Sequence, residues 1–233
     1  MTTLEARKIG GRIQRILANI AAKPMFPSSI LNTPSHRFDF SKRNREVESI
    51  DMAKRGALQA YVDATLAKSG RTWGFGGYGE DRSFYRSPLF TKDGEPRTVH
   101  LGVDVWLKSG TPISVPIAGR VHSFQINKEF LDYGPTIILE HNLSGVRFST
   151  LYGHLSTGSL SGFLVGKEIP AGAEIARLGT EDENGNWAPH LHFQIIGDLL
   201  GKSGDYPAVA KASEQEFYLA LCPDPNLLLR LLV

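Results

Sequence analysis

The first twenty residues carry apolar side chains at the spacing of an amphipathic helix. The apolar positions are Ile9, Ile13, Ile16, Leu17 and Ile20, and the basic residues between them are Arg7, Lys8, Arg12 and Arg15. Such a helix either lies on an anionic membrane surface or packs on its own domain or on a second copy of the chain. We favour packing on its own domain or on a second copy, and the pattern leaves the oligomeric state open.

A linker and a second helix follow this segment. Residues 23–45 contain three prolines among polar residues, which is typical of an extended linker. From about Glu46 to Lys68 apolar residues return at helical spacing, and Gly70 is placed to end the helix. Beyond Gly70 the pattern changes to strand alternation. We therefore predict a helical N-terminal arm with a proline-rich linker over residues 1–70 and a second domain over residues 71–233.

Apolar and other residues alternate strictly from Val99 to Val105. This pattern predicts a half-buried strand with His100, Gly102 and Asp104 on the face away from the core. His100 and Asp104 are roughly 13 Å apart along an ideal strand. They can share one ion only if their side chains lean together or the strand bends at Gly102, whose missing side chain leaves room for the ion.

Two later segments carry histidines in strand patterns. His190 and His192 are expected to project together, because the apolar residues between and after them point into the core. The same alternation places Tyr152 and His154 on one face of another strand. Neighbouring antiparallel strands lie only ~4.8 Å apart, so these segments can converge on the His100 strand.

Composition narrows the class of protein. Apolar residues make up 41% and charged residues 21% of the 233 residues, which excludes general disorder. The net charge of +2 does not favour a nucleic-acid partner. Cys222 is the only cysteine, which excludes an intrachain disulfide and an all-cysteine metal site.

No apolar run reaches the roughly 18–20 residues of a transmembrane helix, and polar residues interrupt the N-terminal stretch where a signal peptide needs an apolar core. We therefore expect a cytoplasmic protein by default, or a cell-envelope protein if it is exported by another route.

A catalytic zinc site suits this set of side chains. Zinc accepts imidazole nitrogen and carboxylate oxygen, and a catalytic site keeps three protein ligands and one water. Two histidines and one aspartate would leave one positive charge to polarise the water and a substrate carbonyl. Two more histidines could then act as general base and as stabiliser of the oxyanion. We expect the other three histidines to be structural: His36, His122 and His141.

The motifs resemble those of the lysostaphin-type zinc metallopeptidases, which include LytM-like peptidoglycan endopeptidases. The matching motifs are His100-x-x-x-Asp104, Tyr152-Gly153-His154-Leu155 and His190-Leu191-His192, with supporting turns at 110–121 and 166–179. The resemblance covers about residues 98–197. It implies a mainly β fold (α+β overall), an antiparallel β-sheet groove domain, here preceded by two N-terminal helices.

The resemblance also implies the roles of the site residues. His100, Asp104 and His192 would bind one Zn²⁺ per chain. His154 and His190 would be the catalytic pair, assisting attack of a zinc-bound water on the scissile carbonyl. Tyr152 would help to orient or stabilise the oxyanion.

The implied activity is hydrolysis of peptide bonds in peptidoglycan stem or cross-bridge peptides. Two alternatives remain open: a cytoplasmic zinc amidohydrolase or peptidase that acts on a small soluble substrate, and a non-catalytic domain that binds peptidoglycan or peptide.

Residues 72–233 also resemble a module that some proteins join to kinase-like and aminotransferase-like domains. Its matching features are Arg82 near Tyr85, the segment 131–135 and the segment 221–226. We expect Arg82 and Tyr85 to contact the substrate, with Arg82 paired to a substrate carboxylate, or alternatively to brace their own loop.

Overall fold

The computed structural model describes residues 1–92 and 94–231. Seven α-helices are present in these ranges: α1 (Thr3–Leu17), α2 (Ser28–Leu31), α3 (Arg45–Glu48), α4 (Ala57–Ser69), α5 (Pro88–Thr91), α6 (Gln215–Leu221) and α7 (Asn226–Leu229). The twelve strands of the described residues are β1 (His36–Arg37), β2 (Gly74–Gly76), β3 (Arg97–His100), β4 (Val103–Trp106), β5 (Pro112–Ser114), β6 (Gly119–Asn127), β7 (Gly134–Leu143), β8 (Val146–Gly153), β9 (Glu168–Ile169), β10 (Glu174–Arg177), β11 (His190–Ile196) and β12 (Val209–Lys211).

One large sheet dominates the fold. Its eight strands run in the order β1-β2-β4-β11-β8-β7-β6-β9, and all neighbours are antiparallel except β1 and β2. Two smaller pairs, β10-β5 and β12-β3, lie outside this sheet. The predicted mainly β fold with N-terminal helices is confirmed.

The helix predicted from Glu46 is interrupted. The short α3 ends at Glu48, and α4 begins only at Ala57. Between them the Asp51 carboxylate accepts the Ala53 backbone N–H, and Gly56 has φ +75°. These local turns compete with helix formation, although the apolar spacing continues through them.

Helix α1 packs on the rest of the chain, in agreement with the packing interpretation of its apolar face. Ile13 and Leu17 are fully buried in the largest core, and Ala6 is buried in a second one. Within residues 1–92 and 94–231, no helix is long and apolar enough to cross a membrane.

The expected boundary near residue 70 separates two sequence patterns but not two cores. Each of the three buried clusters contains residues from both sides of it. The predicted linker supplies β1 to the edge of the main sheet and places Phe40 in a cluster with Phe84 and Trp106. The N-terminal arm is therefore packed into the same body as the domain that follows it.

Candidate metal centre and catalytic site

A change of sheet brings His100 and Asp104 together. His100 ends β3, which pairs with β12, whereas Asp104 lies in β4, which pairs with β2 and β11. The chain bends between these strands at Gly102. As a result His100 Nε2 lies 3.3 Å from Asp104 Oδ1, a distance that the straight strand of the sequence pattern would not allow.

Gly102 makes room for a ligand side chain, and here the structure corrects the expectation that it leaves space for the ion itself. A Cβ at this position would lie 2.5 Å from His192 Cε1 and 2.8 Å from the Phe193 carbonyl oxygen. The imidazole of His192 therefore packs directly over the Gly102 backbone.

Strand β11 presents His190 and His192 on one face, as the alternation predicted. In the antiparallel register His192 lies opposite Asp104 of β4 and Gly153 of β8. His192 Nδ1 is 3.0 Å from Asp104 Oδ1 and 3.0 Å from His100 Nε2.

Hydrogen bonds on the outer side fix the tautomers of both imidazoles. His100 Nδ1 donates to the Gly77 carbonyl at 2.9 Å. His192 Nε2 donates to Gln194 Oε1 at 3.0 Å, and the Gln194 amide is oriented by its donation to the Pro207 carbonyl at 3.2 Å. A neutral imidazole that donates from one nitrogen has no proton on the other. The two inner nitrogens, like Asp104 Oδ1, are therefore lone-pair acceptors.

These three acceptor atoms fit a divalent cation. Their separations of 3.0–3.3 Å approach the edge of a tetrahedron with zinc bonds of ~2.0–2.1 Å, which is about 3.3–3.4 Å. Acceptors this close without protons between them repel one another unless a cation lies among them. All three residues are buried, and their ligand atoms all lie within 4.8 Å of one another.

The charge states also suit metal binding. Burial lowers the pKa of His100 to about 3, so its imidazole is neutral at pH 7. Burial by itself would raise the pKa of the Asp104 carboxyl, but the adjacent Arg82 guanidinium favours the charged form, and the pKa stays well below its usual value. His100 and Asp104 are therefore deprotonated, as metal ligands must be.

His154 and His190 lie beside this cluster with their rings in contact at a tilt of 38°. Their centroids are 4.2 Å apart, and His190 Nε2 is 3.7 Å from Asp104 Oδ1. His154 Nδ1 donates to the Asn184 carbonyl at 2.9 Å, and His190 Nδ1 donates to the Ala188 carbonyl at 2.7 Å. Burial lowers the pKa of both residues, so each has an unprotonated Nε2 at neutral pH.

Tyr152 does not join the site, and the expectation that it shares a face with His154 is wrong. Strand β8 ends at Gly153, and His154 has φ +63°, which breaks the two-residue alternation. Tyr152 is fully buried in the main core, packed on Phe193. It does not line the cavity that contains the histidines.

Tyr133 lies where Tyr152 was expected. Its ring is 5.7 Å from that of His154 and 5.2 Å from that of His192, and its hydroxyl donates to the Tyr206 carbonyl at 3.0 Å. Sequence reasoning gave Tyr133 no role. Gln194 was also missed, although its position two residues after His192 on the same strand face was a usable signal.

Arg82 is buried against the chain's own carboxylates. It is 2% exposed, and its guanidinium donates to Asp104 Oδ2 at 2.7 Å, to Glu80 Oε2 at 3.0 Å and to the Tyr85 hydroxyl at 2.9 Å. These contacts agree with the alternative expectation that Arg82 and Tyr85 brace their own loop. Both residues also line the cavity of the site, so their contact with a substrate stays a prediction.

One cavity of about 240 Å³ is lined by all five residues of the site: His100, Asp104, His154, His190 and His192. Aromatic side chains form much of its wall: Phe40, Phe84, Tyr85, Trp106, Tyr133 and Trp187. Phe40 and Leu58 reach the cavity from the N-terminal arm. The arm is therefore part of the wall of the site.

Comparisons with known proteins give one family match and several similarities to solved structures. The sequence model of peptidase family M23 matches residues 98–204. A zinc-containing peptidase from Vibrio cholerae is 26% identical over 42% of this chain and 27% of its own, with a TM-score of 0.35. The catalytic domain of the antimicrobial peptidase lysostaphin from Staphylococcus simulans is 26% identical over 51% of this chain and 80% of its own, with a TM-score of 0.33.

A putative peptidase M23 from Pseudomonas aeruginosa is 17% identical over 77% of this chain and 64% of its own, with a TM-score of 0.37. The comparison with curated proteins found no match.

Proposed function

Residues 98–204 form a domain of peptidase family M23, and from this premise we propose that the protein is a zinc metallopeptidase that cleaves peptidoglycan stem or cross-bridge peptides. The observation that carries the proposal is the convergence of three potential ligand atoms, on His100, Asp104 and His192, next to the adjacent rings of His154 and His190. When bound, zinc would act as a Lewis acid toward the scissile carbonyl and lower the pKa of water.

The histidine pair supplies proton transfer in this proposal. His190 Nε2 is the unprotonated nitrogen beside the ligand cluster, and it accepts the proton of the attacking water. As the C–N bond breaks, the same proton passes to the leaving amine, which restores neutral His190. The Ala188 carbonyl holds Nδ1–H throughout. The His154 ring, with its centroid 4.2 Å from that of His190, limits rotation of the His190 imidazole.

A second candidate substrate is a short soluble peptide or amide. The five site residues are each no more than 5% exposed, and Phe40 and Leu58 of the arm form part of the cavity wall. A cavity of only about 240 Å³ favours the end of a chain or a small molecule over the middle of a polymer. This candidate agrees with the expected cytoplasmic location, which fractionation of cells that express the tagged chain would test.

A digest by the zinc-loaded protein tests both candidates. Purified peptidoglycan, soluble cross-linked stem peptides and a set of short peptides and amides are offered, and mass spectrometry identifies new amino termini. The matched control is His190→Ala loaded with zinc. Cleavage of peptidoglycan or stem peptides by the wild type alone supports the first candidate, and cleavage of only the short substrates supports the second. No cleavage by protein that holds one zinc per chain would contradict the peptidase proposal and favour a binding domain.

A further inference from the structure

Arg82 makes an unusual contact with a proposed metal ligand. It precedes the residues matched by the family model, 98–204, and reaches Asp104 from the loop after β2. Both side chains are 2–3% exposed. The contact is therefore a buried, charge-assisted hydrogen bond, which is stronger and more directional than a surface ion pair.

The two oxygens of Asp104 have different partners. Oδ2 accepts from Arg82 Nη1 at 2.7 Å, whereas Oδ1 is 3.3 Å from His100 Nε2 and 3.0 Å from His192 Nδ1. One oxygen is held by the arginine and the other faces the ligand cluster. A carboxylate with both oxygens free could instead bind an ion through both of them.

From this geometry, and resting on the proposed function, we propose that Arg82 is a positioning residue that restricts Asp104 to a single zinc-binding oxygen. This keeps one coordination position for water or substrate.

Neighbouring residues fix Arg82 in place. Its Nε donates to Glu80 Oε2 at 3.0 Å, and Glu80 Oε1 accepts the backbone N–H of Phe40 at 3.3 Å. The Phe40 ring also lies over the guanidinium, with its centroid 5.5 Å from Cζ. The N-terminal arm thus supports the arginine, and Glu80 balances its charge while Asp104 remains available to the metal.

Arg82→Lys is the main test, since it keeps the charge. One ammonium group cannot reproduce the planar set of contacts to Glu80, Tyr85 and Asp104. We expect Arg82→Lys to bind zinc about 10–100-fold more weakly than the wild type, the usual effect of losing an outer partner of a metal ligand. Competition with a chromophoric chelator measures this affinity without a substrate. The Co²⁺-substituted variant should also show weaker visible absorption, because a second bound oxygen raises the coordination number.

Arg82→Met and Arg97→Met complete the design. Arg82→Met removes the charge and should weaken zinc binding further. Arg97 is a partly buried arginine whose guanidinium lies near Phe90 rather than at a proposed metal ligand. Arg97→Met therefore controls for the loss of an arginine and should retain wild-type zinc affinity. If Arg82→Met does not fold, as shown by its thermal melt, Arg82→Lys decides.

Wild-type zinc affinity together with a wild-type Co²⁺ spectrum in Arg82→Lys would overturn the proposal. Absence of zinc from the wild type would overturn this proposal and the proposed function together. Zinc binding by the wild type without peptide cleavage would count against the proposed function alone.

Discussion

Replacing Gly102 with alanine should expel a zinc ligand, because the new methyl group has no space. Its Cβ would lie 2.5 Å from His192 Cε1 and 2.8 Å from the Phe193 carbonyl oxygen, against ordinary contacts of about 3.5–4.0 Å. The backbone oxygen cannot yield easily, so the imidazole must move by about 1 Å. Metal–ligand distances tolerate only about 0.2 Å. We therefore expect zinc affinity to fall by about 100-fold or more, beyond the loss of an outer hydrogen bond.

Chelator competition measures this loss of zinc affinity. Chemical denaturation of the zinc-free protein measures the effect of the clash on the free energy of unfolding, which we expect to fall by about 1–3 kcal/mol. Gly158→Ala is the matched control, because nothing lies within 4 Å of a Cβ at Gly158 and its φ is not positive. Wild-type zinc affinity in Gly102→Ala would refute the placement of His192 over this glycine.

Three further predictions concern the histidines and their partners. His192→Ala should lose zinc, whereas His190→Ala should keep zinc and lose turnover; equal zinc contents in the two, by elemental analysis, would contradict the division of roles. Gln194→Leu removes the acceptor that fixes the His192 tautomer and should weaken zinc binding about 10–100-fold. Chelator competition measures the affinity, and an unchanged value would contradict the role of Gln194 in fixing the tautomer.

Burial lowers the pKa of His141 to about 4. Below pH 6.5 the unfolded chain therefore takes up a proton that the folded one does not, and stability is lost as the pH falls from 6.5 toward 4. His141→Gln should remove up to about 3 kcal/mol of that loss. The measurement is the difference in the free energy of unfolding between pH 7 and pH 4.5, made on zinc-free wild type and variant. An equal pH dependence in the wild type and the variant would count against this account of burial.

Strand alternation was sufficient to place the main site residues. It put His190 and His192 on one face. It left a lean of the side chains or a bend at Gly102 as the two ways to bring His100 to Asp104, and the structure shows the bend. The first result follows because β11 is a regular strand in which a period of two holds, and the second follows from the break between β3 and β4.

The sequence-based predictions failed where the strand alternation ends, or where the contact partner of a residue is distant in sequence. Tyr152 was misplaced because the positive φ of His154 reverses the side-chain direction after β8. The acceptors that fix His100 and His154 are backbone carbonyls, which have no signature in the sequence. The contact of Arg82 with Asp104 depends on the path of a loop, and the sequence pattern does not determine that path.

The central claim is that one zinc ion lies among His100, Asp104 and His192, and anomalous diffraction at the zinc edge from crystals of the zinc-loaded protein tests it most directly. The account predicts a single strong peak about 2.0–2.2 Å from His100 Nε2, Asp104 Oδ1 and His192 Nδ1, with Asp104 Oδ2 still bonded to Arg82. A peak bound by other residues, or no peak at these three atoms in protein saturated with zinc, would contradict it.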